Sequence, residues 1–148
     1  MNSKKKGNRP GIRRVGRTCA FQVLYGQSFV KAPDTEALKK AILFNPAVVD
    51  QESASAIEFA EDLVLGVVSN RESIDAVIDE HSQHWKLSRI AKVELAILRL
   101  CLFEMMYTDI PHKAAINEGI ELAKSFGDEN SKNFINGILD AAARGLGK

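Results

Sequence analysis

Between Ile90 and Tyr107 the sequence reads IAKVELAILRLCLFEMMY, and this stretch sets what the chain can fold into. On a helical wheel Val93, Ile97, Leu100 and Met105 point in different directions, so no single apolar stripe describes it. A helix apolar all round has to be surrounded by other helices. It is shorter than the ~20 uninterrupted apolar residues that a bilayer span needs, and it carries Lys92, Glu94, Arg99 and Glu104. The expectation is a central core helix whose deeper charges, Arg99 and Glu104, have partners, since an isolated buried charge costs several kcal/mol. With 148 residues the chain can bury a core without a metal or a disulfide. Cys19 and Cys101, each inside an apolar run, read as reduced core cysteines.

The rest of the chain supplies helices to pack around that centre. A first one is expected from about Arg13 to Val30, with Val15, Cys19, Val23 and Val30 on one face. Ala32-Pro33-Asp34 breaks it and caps a second, from about Thr35 to Phe44, which Asn45-Pro46 stops. A third runs from about Gln51 to Val68, with Ala56, Ile57, Ala60, Leu63, Val64 and Val67 inward. Ser69-Asn70 recaps a short helix carrying Ile74, Val77, Ile78 and His81. Ser88 is the expected N-cap of the central helix, and Asp109 and Pro111 follow its end. A helix over about Lys113 to Ser125 would close at a left-handed Gly127. Asn130 or Ser131 would cap the last, where Gly137 suggests close helix approach. No strand pattern appears, and the fold class is all-α with about seven helices.

The net charge of +1 conceals an asymmetry. Residues 1 to 17 hold seven cations and no acid, so the remainder sums to −6. Residues 1–12 read as a flexible basic arm, with Gly7, Pro10 and Gly11 against regular structure, and 13–148 as one helical domain. On the first helix Arg14, Thr18, Phe21 and Tyr25 share a face, flanked by Arg13 and Arg17. Guanidinium groups fork onto phosphates and aromatic rings stack unpaired bases, a mixture suited to single-stranded RNA; widening the buried stripe is an equal alternative for Phe21 and a weaker one for Tyr25, whose hydroxyl wants a wet or paired end. Between Asp50 and Glu80 nine acids face Arg71 alone, so that side repels phosphate and suits a basic protein.

Catalytic signatures are missing. There is no phosphate-cradling glycine loop, G-x-S-x-G elbow or H-E-x-x-H, and neighbouring carboxylates such as Glu118 and Glu121 are ordinary on a charged helix surface. His81 and His84 have no third ligand near them in sequence. No enzyme activity, cofactor or metal is expected. No secretory signal opens the chain, which points to the cytoplasm.

From Trp85 to Leu139 the segments WKLSRIAKVELAILRLCLFEM and IPHKAAINEGIELAKSFGDENSKNFINGILD resemble the NusB family of bacterial transcription antitermination factors. The resemblance rests on Arg89-Ile90, Ile97-Leu98-Arg99-Leu100, Ala115-Ile116-Asn117-Glu118, Glu121-Leu122-Ala123-Lys124 and Phe134-Ile135-Asn136-Gly137. More loosely it includes Arg13, Arg14, Arg17, Cys19, Ala20, Gln22, Leu24 and Tyr25. It implies two helical bundles that bind boxA-type single-stranded RNA of ribosomal RNA operon leaders, together with the small-subunit ribosomal protein NusE. It further implies action with the transcription elongation complex and other Nus factors, promoting read-through by RNA polymerase. The RNA surface it implies comprises Arg13, Arg14, Arg17, Tyr25, Glu94, Asn130, Ser131, Asn133 and Phe134. NusE would lie on the acidic side.

Some features depart from the family pattern. The arm is long and lysine-rich, Val15-Gly16 interrupts the basic run, and Asn130 stands where acids are common. Two rival expectations are a homodimeric protein-interaction module hiding the first helix, and a NusB-like RNA-binding domain related to ribosomal RNA cytosine methyltransferases. Against the latter, no cofactor domain follows Lys148.

Overall fold

The computed structural model describes residues 11–49, 54–82 and 86–147, and these form eight α-helices with no strand among them. The basic arm up to Pro10, the expected helix start at Gln51, and His84 and Trp85 lie outside the described residues. The helices are α1 (Ile12–Gln27), α2 (Thr35–Leu43), α3 (Pro46–Val49), α4 (Ala54–Ser69), α5 (Arg71–His81), α6 (Lys92–Tyr107), α7 (His112–Phe126) and α8 (Ser131–Leu146). A 3-10 turn, Leu87–Arg89, precedes α6. The chain divides into two compact units, Met1–Leu65 and Gly66–Lys148, with the boundary inside α4. No described helix is long and apolar enough to cross a membrane.

In the first unit α1, α2 and α3 pack on one another. Val15, Cys19 and Val23 are buried as their spacing predicts, but α1 ends at Gln27 and Val30 is 77% exposed. Asp34 caps α2 as expected, its Oδ1 accepting from the Ala37 amide at 2.9 Å. Asn45-Pro46 stops α2 and also starts another helix: Asn45 Oδ1 accepts from the Ala47 amide at 2.9 Å, and Pro46 occupies the first helical position, where its missing N–H costs nothing. The Cys19 thiol, fully buried and 3.8 Å from the Ile42 carbonyl, is pushed by burial from 9.0 up to about 11. A thiol held protonated in this way is no nucleophile near neutral pH.

The second unit is built around α6, which packs against α5, α7 and α8. Ala96, Ile97, Leu98, Leu100, Cys101, Leu102 and Met105 are all buried, so the missing stripe reflects a helix covered on several sides. Arg99 meets Asp75 of α5 through two parallel bonds, Nε to Oδ1 at 2.8 Å and an Nη2 bond to Oδ2 at 3.0 Å. Glu104 is buried as well. Ser88 does not cap α6: it lies in the 3-10 turn, and Ala91 occupies the N-cap without a side-chain bond. Asn70 likewise gives no side-chain cap to α5, its amide instead donating to the Gly66 carbonyl of α4 at 2.8 Å.

The glycines also differ from expectation. Gly127 is extended, with φ −96° and ψ −173°, not left-handed. It is required by space, because a Cβ there would lie 2.6 Å from Ser131 Cβ. Gly137 has nothing within 4 Å of a would-be Cβ, and the close approach occurs at Gly119, where a Cβ would meet Cys101 Sγ at 2.7 Å. Helix α7 therefore approaches α6 through the small side of Gly119.

The fork to Asp75 makes a testable asymmetry. Asp75→Ala leaves the mostly buried Arg99 without its fork and should lower unfolding free energy by about 3 kcal/mol. Arg99→Met should cost less, since Arg71 stands 3.7 Å from Asp75 and still offers a counter-charge. Urea denaturation of the two variants checks the order.

Candidate nucleic-acid interface

The cations of α1 are sorted by one ring. Arg13 and Arg17, a turn apart, place their guanidinium carbons 5.6 and 5.3 Å from the centroid of Phe59 on α4, within cation–π range. Gly16 makes room for that ring, because a Cβ there would stand 2.7 Å from Phe59 Cδ2 and 3.2 Å from the Ala56 carbonyl oxygen. The Val15-Gly16 interruption of the basic run is thus the notch that seats Phe59. Arg13 and Arg14 are exposed, whereas Arg17 is only 6% exposed, a correction to its expected place on an open surface. Truncating Arg17 would therefore remove packing as well as charge.

Farther along α1 the aromatic residues divide in the same way. Phe21 is buried and belongs to the core, while Tyr25 is half-buried. Their rings stack with centroids 6.0 Å apart, and Tyr25 meets the exposed Phe29 edge-on at 5.0 Å. A partly covered ring is able to take a base.

The second unit gathers Glu94, Asn130, Ser131, Asn133 and Phe134 at the start of α8, and there one hydroxyl organises the geometry. Ser131 Oγ, buried at 2% exposure, donates to Glu94 Oε2 at 2.8 Å and accepts from the Asp128 amide at 3.0 Å. Asp128 Oδ1 accepts from the amides of Asn130 and Ser131 at 2.9 and 3.1 Å. Asp128 and Ser131 thus form a reciprocal capping box, and Asp128, not Asn130, is the side chain that caps α8. Asn130 and Asn133 are exposed and Phe134 half-buried, so these three reach solvent while Ser131 does not.

Charge separates the two clusters chemically. Arg13 and Arg14 continue the basic arm and can neutralise phosphate. Around α8 the carboxylates of Glu94, Asp128 and Glu129 stand with Lys124 and Lys132, the last four of these lining a shallow hollow with Gly127. Two first-turn amides are already engaged by Asp128, so this helix start is less open to phosphate than an uncapped one. Chemically, the Glu94 carboxylate can accept hydrogen bonds from a neutral donor. Sequence patterning does not point to Phe59, which sits off the apolar stripe of its helix, whereas the D-x-x-S spacing is a sign of the cap at Asp128.

Residues 14–144 match the model of the NusB family. The transcription antitermination protein NusB of Oleidesulfovibrio alaskensis is 50% identical over 143 residues, covering 95% of this chain and 92% of that protein. The Myxococcus xanthus protein of the same name is 43% identical, covering 93% and 99%. Among solved structures, T. maritima NusB superposes with a TM-score of 0.79 at 33% identity, covering 92% of each chain. A crystal structure of the antitermination factors NusB and NusE in complex with dsRNA gives 0.76 at 28% identity, covering 90% of this chain and 97% of that one.

The notch at Gly16 is open to a direct test. Gly16→Ala should overpack the seat of Phe59 and cost about 1–3 kcal/mol. A thermal melt checks this, and an unchanged midpoint would show that the ring moves aside freely.

Proposed function

Since this chain belongs to the NusB family, we propose that it is a non-enzymatic, RNA-binding transcription antitermination factor. It binds a boxA-type single-stranded element of ribosomal RNA operon leaders together with NusE, and promotes read-through by RNA polymerase with the other Nus factors. Its place is the cytoplasm, where transcription proceeds. The observation that carries the reading is the pairing of two unlike clusters in one NusB-family chain: exposed arginines continuing a basic arm, and a carboxylate held at the start of α8.

In this reading Arg13, Arg14 and the arm of residues 1–12 neutralise phosphates, and Tyr25 stacks a base. Glu94 accepts hydrogen bonds from base donors, and Asn130, Asn133 and Phe134 complete the contact where α8 begins. Arg17 and Ser131 support this surface from within. The domain 13–148 is the RNA-binding body, and NusE takes the acidic side, on exposed carboxylates such as Glu72, Asp79 and Glu80 of α5.

Two substitutions test the surface in gel shifts of boxA-type RNA, run with and without NusE over a range of salt. Arg14→Ala should weaken binding and flatten the slope of log affinity against log salt by about 0.7, the value for one phosphate of a single strand. An unchanged slope would remove Arg14 from the interface. Asn130→Asp adds a carboxylate near the RNA and should weaken binding about fivefold, for a Coulomb cost of about 1 kcal/mol in water. Equal affinities at matched salt would place Asn130 away from phosphate.

A further inference from the structure

The Ser131 hydroxyl has one proton and two acceptor positions, and its surroundings fix how they are used. Asp128 Oδ1 lies 3.2 Å from Oγ but already accepts two amide N–H groups. Glu94 Oε2 is nearer, at 2.8 Å, so the proton goes there. The Asp128 amide donates into the hydroxyl from the other side, at 3.0 Å. Gly127 keeps this closed, since any Cβ at that position would press on Ser131. Among the described residues Ser131 is the sole hydrogen-bond partner of the half-buried Glu94 carboxylate, whose Oε1 is left for another donor.

Building on the functional reading above, we propose that Ser131 and Asp128 are positioning residues for base selectivity, aiming Glu94 Oε1 at a base donor without touching RNA themselves. A glutamate side chain has three rotatable bonds, and one hydrogen bond to a buried hydroxyl restricts which way its free oxygen points. The capping box in turn restricts the hydroxyl. Selectivity at one base thus depends on the turn from Gly127 to Ser131, which also starts α8. A hydrogen bond to a charged acceptor discriminates by about tenfold or more between a base that donates and one that does not.

The test is a double-mutant cycle read as selectivity. Wild type, Glu94→Ala, Ser131→Ala and the double variant are titrated against boxA-type RNA and a panel of its single-base substitutions. Dividing affinities within each variant cancels any loss of folded protein. Expected is that Glu94→Ala flattens discrimination about tenfold at one base position, and that Ser131→Ala flattens it at the same position. The double variant should be no flatter than Glu94→Ala alone, and Asp128→Ala should act in the same direction as Ser131→Ala. A Ser131→Ala protein that loses affinity equally for every RNA, or that keeps wild-type discrimination, overturns the assignment and leaves the functional reading intact. A wild type that does not bind or discriminate these RNAs overturns both.

Discussion

Helix α6 can be buried on several sides only because its inward charge is answered. Arg99 lies among residues that are almost wholly covered, and its fork onto Asp75 converts a desolvation penalty into a directional bond between α6 and α5. Hydrophobic burial along α6 supplies most of the energy but little orientation, since Leu and Ile contacts tolerate sliding. The two parallel bonds allow one register. With α5 fixed in this way, the faces toward α7 and α8 are fixed as well, and so is the place where Glu94 meets Ser131.

In the proposed function one chain separates two kinds of work. Phosphate neutralisation depends on charge and tolerates imprecise geometry, and the proposal gives it to exposed arginines following a basic stretch of sequence. Base selection needs a defined acceptor, and the carboxylate suited to it sits in the second turn-and-helix cluster, braced by a hydroxyl and a cap. Acids close to the selecting site repel phosphate, which suits a contact made by a base edge. A single arginine-rich patch would bind many RNAs without preference.

Much of this was legible in the sequence where the governing forces are local or strongly periodic. The all-helical fold, the central place of Ile90–Tyr107, the partner demanded by Arg99 and the cap at Asp34 all follow from spacing and desolvation. Other features depend on competition that spacing does not resolve. In Asp128-Glu129-Asn130-Ser131 four side chains offer oxygen near one helix start, and the tertiary bond from Ser131 to Glu94 helps select Asp128 as the cap. Glycine was legible as a signal but not in its meaning: Gly119 and Gly16 admit neighbours, Gly127 avoids one, and Gly137 meets none. Arg17 read as a surface cation because a basic run gives no sign of a ring on a distant helix.

That ring has a thermodynamic consequence. An arginine waving in solvent loses rotational freedom when it grips a phosphate, at roughly 0.5–1.5 kcal/mol per immobilised side chain. Phe59 restrains Arg13 while it remains exposed, so part of that loss is incurred on folding. Under the proposed function the entropy of RNA association is then less unfavourable at Arg13 than at a cation with no such neighbour, and the notch at Gly16 is its distant origin.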